Sequence, residues 1–257
     1  MSKNKNKILP ILAVSLLAAP IMGSAELVQA GAGNILTFRQ CIAGETVCDD
    51  FGPEQASTLG GLPGELAANA SLADPSYGEA NGSAQLTGAP GAAEMHASVT
   101  SMPATRNGST NVVIQRYKNT SASAESLTFD AILAYERTVP DENAGFPADD
   151  SRVISGAHVE IVIFSMSTDA LEVGMTAESN IAALMFEEEP AGLKDLDYAT
   201  TEPSSNVTGD GTVSISSTAT VEPGDSVWLW AILQDFAVNG AAATSSLSTS
   251  LESTTTE

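Results

Sequence analysis

The sequence predicts an all-β protein: an antiparallel two-sheet β-sandwich, jelly-roll-like, with long N-terminal loops. Three observations carry this expectation. Apolar residues recur at period two, as at Leu127, Phe129, Ala131, Leu133 and Tyr135, and that spacing places side chains on one face of a strand. Clusters of Gly, Pro, Asn and Asp separate such windows, which is the punctuation of sheet turns. No stretch sustains the 3.6-residue period of an amphipathic helix.

The elements follow in order. Residues 31–40 (GAGNILTFRQ) form a short apolar run suited to a strand. Residues 43–93 read as loop-dominated, with turn signals at Gly60-Gly61, Pro63-Gly64, Asp74-Pro75 and Pro90-Gly91 and short strands such as one around Ala84–Thr87. Strand signals then strengthen at Met95–Met102, Asn111–Lys118, Ser126–Arg137, Arg152–Ser167, Thr212–Val221, Val227–Phe236 and Ala241–Leu251. In Ser126–Arg137 the face bearing Thr128, Asp130 and Glu136 is expected to be wet. Arg152–Ser167 carries Val159, Ile161 and Ile163 on one face and Val162 and Phe164 on the other, the mark of a central strand covered on both sides. Thr168–Val173 and Ala191–Tyr198 can each hold a turn or a short helix. No linker divides the chain and no repeat of fixed period occurs.

The first thirty residues form a secretory leader by composition. Lys3, Lys5 and Lys7 precede an apolar run from Ile8 to Met22, and Gly23-Ser24-Ala25 and Val28-Gln29-Ala30 are both small-residue cleavage sites. The apolar run is shorter than the about 20 residues a membrane span needs. The expected organisation is a signal peptide at 1–30, cleaved after Ala25 or Ala30, a single domain at 31–251, and a flexible polar tail at 252–257. About 230 residues then remain, enough for one sandwich with a substantial core. The address is secreted, extracellular or cell-surface, with the periplasm as a further possibility, and no stable membrane insertion after cleavage.

Cleavage after Ala25 lowers the basic count from 10 to 7 against 32 acidic residues, so the net charge moves from −22 to −25. Such a chain repels nucleic acid, which is bound through Lys and Arg, and anionic membranes. The acidity reads first as solubility in salty water, and second as affinity for divalent cations or a cationic partner. Cys41 and Cys48 are the two cysteines. In an oxidising compartment they are expected to form one local disulfide, worth about 2–3 kcal/mol in the chain-entropy view.

Few constellations suggest chemistry. His158 shares a strand face with Glu160, which reads as a surface pair, as a metal-ligand pair or as a catalytic base with an acid; His96 has no His or Cys nearby. The HExxH, GxSxG, phosphate-loop and dinucleotide motifs are absent. With 32 acidic residues, no spacing selects two carboxylates for glycoside hydrolysis. Asp141, Glu142 and Asn143, with Asp149 and Asp150, flank a Gly-Phe-Pro turn; these hard oxygen ligands make a tentative calcium site. Glu187-Glu188-Glu189 and Asp195-Leu196-Asp197 are weaker candidates and read as solvated charge runs. Trp228 and Trp230 share one strand face. Exposed, they would stack a sugar ring; the competing reading packs them in the core or under a loop. Five Asn-x-Ser/Thr sequons begin at Asn69, Asn81, Asn107, Asn119 and Asn206 and read as polar turns.

The segment Val221-Glu222-Pro223-Gly224-Asp225-Ser226-Val227-Trp228-Leu229-Trp230-Ala231, followed by Asn239-Gly240 and the Ala241–Leu247 run, resembles the closing hairpin of exported bacterial β-sandwich proteins of the PEP-CTERM-associated type. The Arg116-Tyr117 and Leu127–Tyr135 strands fit that plan. The resemblance covers about 30 residues well and about 100 loosely. It implies a secreted sandwich associated with surface or matrix material. The final residues, Ser253-Thr254-Thr255-Thr256-Glu257, depart from the family's sorting tail, so anchoring is not carried over and release is expected. Two functions are therefore in view. One is a non-enzymatic structural or adhesive protein that assembles with itself by strand complementation, with Gly31–Gln40 as donor. The alternative is a module that binds extracellular polysaccharide through Trp228 and Trp230.

Overall fold

The computed structural model describes residues 25–41, 48–49, 54–61, 65–140, 155–166 and 193–255. Every regular element among them is a strand. In chain order these are β1 (Ala25–Cys41), β2 (Cys48–Asp49), β3 (Glu54–Gly61), β4 (Glu65–Asp74), β5 (Gly78–Thr87), β6 (Ala93–Ser101) and β7 (Thr105–Asn119). They continue with β8 (Glu125–Thr138), β9 (Ser155–Met166), β10 (Leu193–Thr201), β11 (Ser204–Ser205), β12 (Gly209–Val221), β13 (Ser226–Val238) and β14 (Ala242–Thr255).

The strands form two antiparallel sheets. Sheet A runs β10-β9-β13-β7-β1-β2, with β11 also on β9 and β3 also on β1; sheet B runs β12-β8-β14-β6-β5-β4. From β6 onward the chain repeatedly crosses from one sheet to the other. The four-strand cores β7-β13-β9-β10 and β6-β14-β8-β12 are interleaved in sequence, which is the connectivity of a jelly roll. β1 and its partners extend sheet A beyond β7, and β5 and β4 extend sheet B beyond β6.

The period-two expectation fails to find part of this. The stretch 43–93 holds β3, β4 and β5 rather than mainly loop. Its inward residues are small: Ala68, Ala70, Ala80 and Ala84 are buried, and alanine gives a weak hydrophobic contrast with the Ser and Asn that alternate with it. Residues 193–198 belong to β10, not to a helix. The Trp228 strand and the final strand do not make a hairpin. β13 pairs with β7 and β9, while β14 pairs with β6 and β8, so the Asn239-Gly240 turn is an arch between sheets. Residues 252–255 are not a loose tail, because β14 stays paired with β8 as far as Thr255↔Glu125.

Burial explains why the strands pair in this way. One cluster between the sheets includes Val113, Phe129, Leu133, Ile161, Leu229 and Leu247, and a second includes Leu36, Phe38, Ala80, Val99 and Ala237. Each such large apolar side chain removed from water is worth about 1.5–3 kcal/mol. Between the two clusters the inward positions turn polar: Asn34, Ser109, Asn111, Asp235 and Ser245 are all buried. A third cluster, Val112, Ile114, Val162, Phe164, Trp228 and Ile232, lies on the other face of sheet A. β9 is thus apolar on both faces, as its sequence predicts.

Candidate functional site

β1 contains the predicted donor segment Gly31–Gln40. Its inward residues Ala30, Ala32, Leu36 and Phe38 are buried. It pairs with β7 from Ala25↔Asn119 to Gln40↔Thr105, with a bulge between Leu27 and Gln29. On its other edge β3 pairs from Ala30↔Gly61 to Thr37↔Glu54. The predicted donor Gly31–Gln40 is therefore not loose chain; it is seated in its own molecule. Register is pinned by polar groups rather than by apolar shape alone. Asn34 lies directly opposite Asn111, and Asn34 Nδ2 donates to the Gly82 carbonyl at 3.1 Å. A one-residue slip would turn every inward side chain outward and would orphan that amide.

Cys41 and Cys48 stand opposite each other in the β1–β2 ladder. The Cys41 N–H donates to the Ala104 carbonyl on the far side. Toward β2 the pair is therefore the non-hydrogen-bonded kind, whose Cα separation of about 4.5 Å falls in the range a disulfide accepts.

The tryptophans do not form an open platform. Trp228 is 4% exposed and Trp230 is partly buried beside it. Trp228 stacks on Phe164 with ring centroids 6.5 Å apart, and the Arg116 guanidinium sits 5.9 Å from its centroid. Nor are they in the core between the sheets. That core takes Val227, Leu229, Ala231 and Leu233, and the indoles belong to the apolar cluster on the opposite face.

The remaining candidates separate. His158 Nε2 lies 3.8 Å from Glu160 Oε2, both partly exposed on the outer face of sheet A. His96 is exposed on the outer face of sheet B, in a shallow groove of about 980 Å³ that also meets Tyr135, Glu136 and Asp210. Asp141, Glu142, Asn143, Asp149 and Asp150 lie outside the described residues, as do Glu187-Glu188-Glu189. Asp197 accepts the Thr218 N–H at 2.7 Å. The β-bulge between Asp195 and Asp197 thus gives a carboxylate to the backbone of the edge strand β12. Among the described residues no three His, Cys, Asp or Glu side chains form a metal cluster, and no helix is long and apolar enough to cross a membrane. Of the sequons, Asn107, Asn119 and Asn206 are buried, whereas Asn69 and Asn81 are exposed.

The sequence reading passed over Asp235. It is the one charged residue in β13, and it falls in the inward phase set by Leu229, Ala231 and Leu233. It is 1% exposed. Burial pushes its carboxyl up to about 7, and the facing Ser245 hydroxyl opposes that shift. The signal was available: one acid in a strand that is otherwise apolar or neutral, on the buried parity.

No protein-family model, no curated protein and no solved structure matches the chain.

Proposed function

We propose that the protein is a secreted, non-enzymatic structural or adhesive component of the extracellular matrix or cell surface, whose copies join by exchanging β1. The observation that carries this reading is the relation of β1 to the rest. The interleaved strands β6–β10 and β12–β14 complete a jelly roll without it, and β1 adds to the β7 edge of that body. Among the described strands β3 pairs with β1 alone, so β3 can leave together with β1. The ladder to β7, the buried Ala30, Ala32, Leu36 and Phe38, and the Asn34–Gly82 hydrogen bond are the same whether β1 comes from its own chain or from a neighbour. Exchange of an identical element is a low-cost route to association, and a one-directional exchange propagates. Export by the leader, acidic solubility and the lack of any catalytic motif support the same reading.

Polysaccharide binding through Trp228 and Trp230 ranks below it, because an indole 4% exposed offers no stacking face. Electron microscopy of the purified mature protein, with and without calcium, tests the proposal. Filaments or ordered oligomers are expected, and a calcium requirement would add weight to the acidic segment with Asp141 and Asp149. Strictly monomeric particles under all these conditions would overturn it. Unchanged polysaccharide retention by a folded Trp228→Ala/Trp230→Ala double variant would remove the aromatic alternative.

A further inference from the structure

We infer that the free edge of β4 is a second contact between copies: two molecules join β4 to β4, antiparallel, about a two-fold axis at Asn69. This contact is separate from β1 exchange and does not depend on it.

The ladder shows which groups are open. Among the described strands β4 pairs with β5 alone, from Glu65↔Thr87 to Asp74↔Gly78 without a bulge. On the far side of β5, the Thr87 N–H donates to the Ala92 carbonyl and the Tyr77 carbonyl accepts from the Met102 N–H. Backbone groups alternate in direction along an antiparallel strand. Odd-numbered residues of β5 therefore serve β6, and even-numbered ones serve β4. In β4 the residues hydrogen-bonded to β5 are thus Leu66, Ala68, Ala70 and Leu72. The N–H and C=O groups of Ala67, Asn69, Ser71 and Ala73 point to the open side, and these four residues are exposed.

Sheet edges are ordinarily blunted by bulges, charge or shortness. The other edges of this sandwich carry such devices. β10 has its bulge between Asp195 and Asp197, and Asp197 accepts the Thr218 N–H at the edge of β12. β2 has two residues, and β3 ends in Gly60-Gly61, which hold a strand poorly. β4 has ten residues, no Pro, Gly or Lys, and no charge between Glu65 and Asp74. A long, regular and neutral edge is a template for another strand.

Charge and symmetry name the occupant. The chain carries a formal net charge of −22, so copies repel one another, and Leu66–Ala73 is a stretch where they can meet without charge. Pairing about Asn69 opposes Asn69 with Asn69, Ala67 with Ser71 and Leu66 with Leu72. Open residues then meet open residues and can exchange both backbone bonds. The inward side chains Leu66, Ala68, Ala70 and Leu72 keep to one face, so the two B sheets become continuous. A one-residue shift would set Glu65 against Asp74 and turn one copy's inward face outward. Self-pairing of one patch about a two-fold axis closes on itself, whereas β1 exchange propagates.

Sedimentation of the full mature chain over a concentration range, in high salt that screens the repulsion, tests this. A species of doubled mass is expected; where β1 exchange builds filaments, the contact should appear as filaments paired side by side in electron micrographs. Asn69→Pro removes both central bonds by symmetry and none of those to β5, so the dissociation constant should rise on the order of tenfold to a hundredfold. Asn69→Lys and Asn69→Glu should each lose the pairing by setting like charges opposite, and a one-to-one mixture of the two should restore it. The charge pair decides the matter should Asn69→Pro not fold. A native chain that stays unpaired, pairing unchanged in these variants, or a mixture no better paired than Asn69→Lys alone would overturn the contact. Pairs without filaments would uphold it while β1 exchange fails, and unpaired filaments would do the reverse.

Discussion

Ala104 and Asn239 are 135 residues apart, and the Ala104 N–H donates to Asn239 Oδ1 at 2.9 Å. The Asn239 N–H in turn donates to the Thr105 carbonyl. Two arches between the sheets, one leaving β6 and one leaving β13, are thus stitched together. Both residues carry positive φ, 60° and 55°. That region costs an L-residue about 1–2 kcal/mol, and Asn tolerates it better than Ala. Ala104→Gly should therefore stabilise the protein by about 0.5–1 kcal/mol, after allowing for the looser unfolded chain. Asn239→Ala should destabilise by about 2 kcal/mol, losing both the acceptor and the tolerance. Urea unfolding of the two variants checks the opposite signs.

Tyr117 and Glu125 are both buried, and the Tyr117 hydroxyl donates to Glu125 Oε2, which also accepts from Ser253 at 3.0 Å. Burial, and then the bond to Glu125, push the Tyr117 hydroxyl up to about 12. Its folded value lies above its unfolded value near 10, so this contribution is fully present below pH 10 and is lost as the pH climbs toward 12. Stability should fall there by on the order of 2 kcal/mol. In Tyr117→Phe that alkaline limb should flatten, and neutral-pH stability should drop by about 1–3 kcal/mol because Glu125 loses a buried donor.

Two glycines in sheet B face similar clashes with different freedom to respond. A Cβ at Gly82 would meet Asn111 Oδ1 and Ser109 Oγ, on side chains held by the Asn111 Nδ2 and Ser109 hydroxyl hydrogen bonds, whereas one at Gly211 would meet the Tyr135 hydroxyl at 2.6 Å. Tyr135 is only partly buried and can swing outward. Gly82→Ala should cost about 2–3 kcal/mol, and Gly211→Ala less than about 1 kcal/mol. Thermal melts of the pair would show the difference; equal costs would contradict the reading of the polar level as rigid.

The start of β1 discriminates between the two cleavage sites. Processing after Ala25 keeps all but the first residue of β1, while processing after Ala30 removes six of its 17 residues. The lost residues include pairs such as Leu27↔Tyr117 and Ala30↔Gln115. Terminal sequencing of secreted protein should therefore read Glu26 first.

The register Cys41↔Cys48 suits a disulfide at the β1–β2 corner. Mass spectrometry should find the mature protein oxidised, and Cys48→Ser should lower stability by about 2–3 kcal/mol. A free thiol in non-reducing conditions would contradict the pairing.

The sequence made visible those strands whose inward residues are large. Leu127–Tyr135 announces itself by alternation, Val227–Leu233 by an unbroken apolar run, and the two-sided apolar run of β9 places it in the middle of a sheet. β4 went unseen, and β5 was anticipated only around Ala84–Thr87, because Ala68, Ala80 and Ala84 do the same inward work with little contrast. The arch at Asn239-Gly240 was hidden for another reason: a tight turn looks alike whether its flanking strands pair with each other or separate into two sheets. The tryptophans share a face, as alternation requires, but alternation says nothing of what lies over that face. Asp235 was legible only once the phase of its strand had been taken seriously.

β14 lies between β6 and β8 in sheet B. A chain made as far as Val238 therefore has a gap in the middle of that sheet, and its neighbours cannot close on each other in its absence. Such long-range pairing delays folding until the whole sequence is available. The native packing of sheet B therefore waits for β14, whichever strands pair earlier.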